Sequence, residues 1–103
     1  MDYNVVLTDA AEEQLDNILF YLARVLNNKQ AARSVWEDAL DTVDRLKNAA
    51  GVFKLCEEPE LAKYGYRKIN FKSHEYLMLY LIDGNTVYVD RIYHRLQDYG
   101  NLQ

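Results

Sequence analysis

"EYLMLYLIDGNTVYVDRIY", residues 75–93, decides the fold. Two runs rich in β-branched and aromatic residues flank Asp83-Gly84-Asn85, a strong tight-turn signal, so Glu75 to Tyr93 reads as a β-hairpin. The first run is apolar at every position from Tyr76 to Ile82, which suits a central strand covered on both faces. The second alternates and then breaks its own rule. Val87 and Val89 share one face, yet the next apolar residue, Ile92, falls on the other. A β-bulge near Asp90 and Arg91 restores the facing and re-aims the side chains beyond it; bulges are frequent beside functional sites. The chain then turns polar, through Tyr93, His94 and Arg95 into its tail.

Upstream of the hairpin, "YRKINF" at residues 66–71 is a third strand. Residues 51–64 carry the only proline and no clear period, and read as a loop with room for one helical turn. At the front, Tyr3 to Leu7 is short, apolar and β-branched, a first strand. Asp9 and Glu12 then form a D-x-x-E capping box. Ala11, Leu15, Ile18, Leu19, Leu22 and Leu26 recur at helical spacing. Asn27 or Asn28 caps a second helix, whose apolar face is Ala32, Val35, Trp36, Ala39, Leu40, Val43 and Leu46, and Gly51 is its natural stop. The short break between the helices implies an antiparallel pair. The fold class expected is therefore α+β, in the order β-α-α-β-β-β: a mainly antiparallel sheet with a helical hairpin packed on one face.

A chain of 103 residues fits one domain, 1–103. No apolar run approaches the length of a membrane span, and "MDYNVVLTDAAEE" lacks the basic start and cleavage site of a secretory signal. A lone Cys56 can form neither an internal disulfide nor a metal cluster. The reading is a cytoplasmic protein with no metal site, no cofactor and no membrane partner. Net charge is −4, but the first fifty residues hold nine acids against five bases, whereas the remainder is balanced. From Leu61 to His74 there are Lys63, Arg67, Lys68 and Lys72 with no acid, and Arg91 and Arg95 follow. Screening over about 8 Å lets such a local patch matter more than the total.

The order of elements, with "LTDAAEEQLDNI" at the first helix, "GYRKI" at the second strand, "EYLMLYLIDG" at the hairpin and "RIYHRLQD" at the end, resembles the RelE/ParE superfamily. These are toxins of type II toxin-antitoxin systems, the plasmid-stabilisation or addiction modules. The resemblance implies a small sheet with a helical pair on one side, and growth inhibition held in check by a small antitoxin lying across the toxin. One branch cuts messenger RNA on the ribosome as an mRNA interferase; another poisons DNA gyrase. In the RNA-cutting branch the central strand starts Tyr-Arg-Leu-Val-Tyr, and its arginine contributes to the chemistry. Here that stretch is Tyr76-Leu77-Met78-Leu79-Tyr80, with Leu77 in the arginine's place. Tyr93-His94 is similar to the terminal Tyr-His of some RNA-cutting relatives, and ParE-like members also end in such a histidine.

Metal-free RNA cleavage needs a base for the 2′-hydroxyl, an acid for the departing oxygen and positive charge on the phosphate. His94 is the candidate acid or base. Arg67, Arg91 and Arg95 are the candidates to hold the phosphate. Lys68 and Lys72 would attract the backbone, and Tyr66 or Tyr93 would stack on a base. All of this requires the cations and the imidazole to converge on one hollow, on the sheet face away from the helices. The same residues have structural readings: Arg67, Lys68 and Lys72 as the solvated side of a strand, Arg91 paired with Asp90, and the tyrosines as sheet packing. Cys56 and His74 carry no case beyond packing and surface. Three functions stand open: a ribosome-dependent endoribonuclease, a non-enzymatic gyrase inhibitor, or a harmless antitoxin-binding remnant. Each shares a cognate antitoxin as partner, with a homodimer or a toxin-antitoxin hetero-oligomer as the assembly and the ribosome with its mRNA, or gyrase, as target.

Overall fold

The computed structural model describes residues 2–96; residues 97–103, which include the end of the "RIYHRLQD" motif and the polar tail, lie outside the described residues. Elements run β1 (Asn4–Leu7), α1 (Asp9–Phe20), a π-type turn (Tyr21–Val25), α2 (Lys29–Ala49), a 3₁₀ turn (Ala50–Val52), α3 (Pro59–Ala62), β2 (Arg67–Asn70), β3 (Tyr76–Asp83) and β4 (Thr86–His94). The sheet order is β1-β4-β3-β2. β1 lies parallel to β4, while β4, β3 and β2 are antiparallel neighbours. The fold is α+β with a mixed four-stranded sheet.

The hairpin forms where its sequence requires it. Gly84 has φ 62°, the left-handed value a two-residue turn needs at its first central position. Leu77, Met78, Leu79 and Tyr80 are all buried, so β3 is covered on both faces. The register steps between Leu79 and Tyr80: Leu79 faces Arg91 but Tyr80 faces Val89, which leaves Asp90 as the extra residue of the expected bulge. In consequence Val87 and Val89 before it, and Ile92 after it, all join the core against the helices.

A bulge leaves backbone groups without ladder partners, and α1 supplies them. The Gln14 Oε1 accepts the Ile92 N–H at 2.7 Å, and the Thr8 hydroxyl donates to the Asp90 carbonyl at 3.1 Å. Thr8 also accepts the Ala11 N–H at 3.1 Å, so Thr8 rather than Asp9 is the N-cap of α1. The D-x-x-E reading is thereby corrected: the Glu12 N–H that Asp9 would have taken goes instead to the Thr8 carbonyl at 2.9 Å.

The helical stripes need similar adjustment. After Phe20 the helix widens, with the Leu26 N–H reaching the Tyr21 carbonyl at 2.9 Å, five residues back. This shifts the stripe and leaves Val25 and Leu26 exposed. Asn28 caps α2 by accepting the Ala31 N–H at 2.9 Å. The buried face of α2 is Val35, Asp38, Ala39, Thr42 and Leu46, so Trp36 and Leu40 sit one position off it and remain exposed. α2 ends at Ala49, and a turn of 3₁₀ helix carries Gly51. Gly51 serves close approach rather than a left-handed stop: the Tyr3 hydroxyl lies 2.9 Å from where its Cβ would be.

Candidate functional site

The bulge divides the last strand between two surfaces. Arg67 faces Tyr80, and His94 faces Tyr76; both Tyr80 and Tyr76 belong to the cluster packed against the helices. Arg91 faces Leu79, and Tyr93 faces Leu77, which belong to a second cluster on the opposite side. The expected convergence of Arg67, Arg91 and His94 therefore does not occur. Arg67 and His94 share a face but are four residues apart along β3, about 13 Å, and lie on opposite sides of it.

Each candidate has an occupation. The Arg67 guanidinium donates to the Phe53 carbonyl, and the Tyr80 hydroxyl donates to the Ala50 carbonyl at 2.7 Å. Together they tie the turn after α2 to the sheet, with a cation at the negative end of the helix. Burial pushes the Tyr80 hydroxyl well above its usual range, so it stays a donor. His94 meets the Tyr76 ring edge-on at 5.4 Å, and its Nδ1 accepts the Leu96 N–H at 3.2 Å. A neutral ring accepting at Nδ1 carries its proton on Nε2. Arg95 pairs with Glu75 at 3.1 Å.

The side of the sheet away from the helices is half closed by the chain itself. Cys56, Leu77, Leu79 and Tyr93 form a buried cluster with Leu61 and Tyr66 against it, so the segment around α3 covers this end. Tyr93, the expected stacking platform, is 8% exposed and packs in that cluster. Burial, then the Glu58 charge, raises the Cys56 thiol above its ordinary value, with Lys68 opposing, so the thiol stays protonated and inert. The Tyr66 hydroxyl donates to Asp90 Oδ2 at 2.8 Å, and Arg91 reaches the Asp90 carbonyl at 2.9 Å and its Oδ1 at 3.4 Å. Burial, that hydrogen bond and the Asp90 charge push Tyr66 up to about 12. Lys68 and Arg91 stand in one row on either side of Leu79, about 10 Å apart. The next row, on β1, β4 and β3, is Val6, Tyr88 and Leu81, with Val6 and Tyr88 each 40% exposed. This leaves an uncovered apolar strip beside a cationic one.

On the helix side, Lys72 goes to a place the sequence did not indicate. Asp38 of α2 is buried and accepts the backbone N–H groups of Lys72 at 3.2 Å and Ser73 at 2.9 Å. It also accepts from His74 Nδ1 at 2.7 Å, and His74 Nε2 lies 3.2 Å from the Ser34 hydroxyl. Burial alone would raise the Asp38 carboxyl; the bonds from His74, Ser73 and Lys72, with the His74 charge, outweigh it and hold the group below the usual range. Ser34 and Asp38 are four apart on one helix, a legible spacing, but their partner comes from a loop some forty residues away. Nothing in the pattern ties that loop to them.

The arrangement of helical pair and β1-β4-β3-β2 sheet is of the RelE/ParE-like class. The chain belongs to the ParE family, the ParE toxin of type II toxin-antitoxin system, parDE, which it matches over residues 5–99. A solved structure described as "Chromosomal ParDE TA system from P. aeruginosa" is similar in fold, with TM-score 0.73 and 21% identity over 89% of this chain and 95% of that one. No curated protein matches. Among the described residues, no helix is long and apolar enough to cross a membrane.

Proposed function

We propose that this toxin arrests growth by binding its target, DNA gyrase, and that it does not cut RNA. The observation that carries the reading is the dispersal of Arg67, Arg91 and His94 over two faces of the sheet. A phosphodiester cleavage site needs its base, acid and cation within hydrogen-bond reach of one phosphate. Here Arg67 is committed to the Phe53 carbonyl, and Leu77, buried in its cluster, stands where the RNA-cutting branch has arginine. The acidic net charge points the same way, since it gives no long-range steering to a polyanion.

The cognate antitoxin, in this reading, lies in the cytoplasm on the uncovered half of the sheet. Val6, Tyr88 and Leu81 supply the apolar contact, and Lys68 and Arg91 the cationic border. An amphipathic segment with acidic residues along one side matches both. Expression of the His94→Ala chain without antitoxin tests the proposal. Growth arrest equal to that of the natural chain is expected. Loss of arrest, with the variant folded and made at the same level, overturns it in favour of an endoribonuclease using His94.

A further inference from the structure

The Asp38–His74–Ser34 chain has the connectivity of a nucleophile, a base and an orienting carboxylate, and it is independent of the surface assigned to toxin action. Ser34 and Asp38 sit one turn apart on α2, and the His74 ring spans that turn, with Nδ1 on Asp38 at 2.7 Å and Nε2 at 3.2 Å from Ser34 Oγ. The carboxylate can only accept, so Nδ1 keeps the proton and donates the hydrogen bond to it. Nε2 is left with a lone pair aimed at the serine hydroxyl. Asp38 is itself fixed by the Lys72 and Ser73 amides, so the ring is held from both ends. Ser34 is exposed and lies on an open cleft of about 340 Å³, which Glu37, Asp41 and Lys72 also line. A surface histidine with one partner would be unremarkable chemically; three groups in this order beside a cleft are not.

We infer that Ser34, His74 and Asp38 form an acyl-transfer site, in which Ser34 is a nucleophile for small uncharged or cationic esters. The Ser34 oxygen attacks the ester carbonyl while its proton passes to His74 Nε2. Lys72, the one ammonium among the lining residues, balances the charge on the tetrahedral oxygen. The alkoxide departs with the proton from Nε2, which leaves Ser34 acylated. A water molecule, deprotonated by the same nitrogen, then releases the carboxylic acid and restores the serine. Glu37 and Asp41 repel esters that carry a carboxylate.

The test uses the purified full chain with a fluorophosphonate probe, and separately with p-nitrophenyl acetate, followed by peptide mass spectrometry. One phosphonyl group on Ser34, with fluoride released, is expected, together with a nitrophenol burst stoichiometric with protein. Ser34→Ala keeps the helix, because alanine favours it, and loses both signals. His74→Gln leaves the hydroxyl in place but slows labelling by about 100-fold or more, the loss typical of removing a general base. An unlabelled natural chain, labelling elsewhere, or a His74→Gln chain that reacts as fast as the natural one each overturns the inference. Growth arrest by Ser34→Ala remains intact, which separates this site from the toxin reading.

Discussion

A histidine has two chemically distinct nitrogens, and the partner of one decides the work open to the other. His94 accepts at Nδ1 from a backbone amide, whereas His74 donates there to a carboxylate. The sequence favours His94, which ends a strand among arginines, over His74, which lies next to a predicted turn. The bonds that distinguish the two rings are tertiary: Asp38 is 36 residues from His74. Asp38 also sets a pH dependence. Its carboxyl is held below its ordinary value, so the stability it contributes is present above the unfolded value of about 3.9 and is lost as pH falls through the folded one. Asp38→Asn should therefore be less stable than the natural chain at pH 7 by about 1–3 kcal/mol, the cost of weakening the bonds it accepts. The gap should narrow below pH about 4. Urea unfolding of both chains at pH 7 and pH 3 measures it; a gap that stays constant would contradict the shift.

Among the elements, the hairpin and its bulge were legible because each leaves a local mark: a turn tripeptide, and a fault in alternation that only one extra residue repairs. The helix ends were less so, since Thr8 and Asp9 are both good caps and the choice depends on Asp90, 82 residues away. The π-type turn left no mark either, because a widened helix changes phase without changing composition. Repair of the bulge by α1 was equally hidden, as nothing in "EEQLDN" assigns Gln14 to a strand. Its replacement tests that link. Gln14→Ala leaves the Ile92 N–H buried without its acceptor and should cost about 1–3 kcal/mol in denaturant unfolding. Faster hydrogen exchange at Ile92 should accompany the loss, with the amides of Val87 and Val89 unaffected by local opening. Unchanged stability would mean that α1 is not what completes the ladder.

At the scale of the molecule, the fold class followed from element order, and its family from motifs spread along the chain. The candidate site was legible as a set of residue types and misread as a place. Two strands, β2 and β4, contributed cations, but a bulge and an alternating backbone sent them to different faces, and the segment around α3 filled the end that was expected to be open. What remains uncovered is a strip that is apolar across Val6, Tyr88 and Leu81 and cationic at Lys68 and Arg91. In the proposed reading, such a surface inhibits by occupying a partner. A supercoiling assay with purified DNA gyrase tests this most directly, run beside ribosomes translating a defined message. The expected result is loss of supercoiling at micromolar toxin, restored by antitoxin, with the message intact. Undisturbed gyrase alongside cuts in the translated message would contradict it.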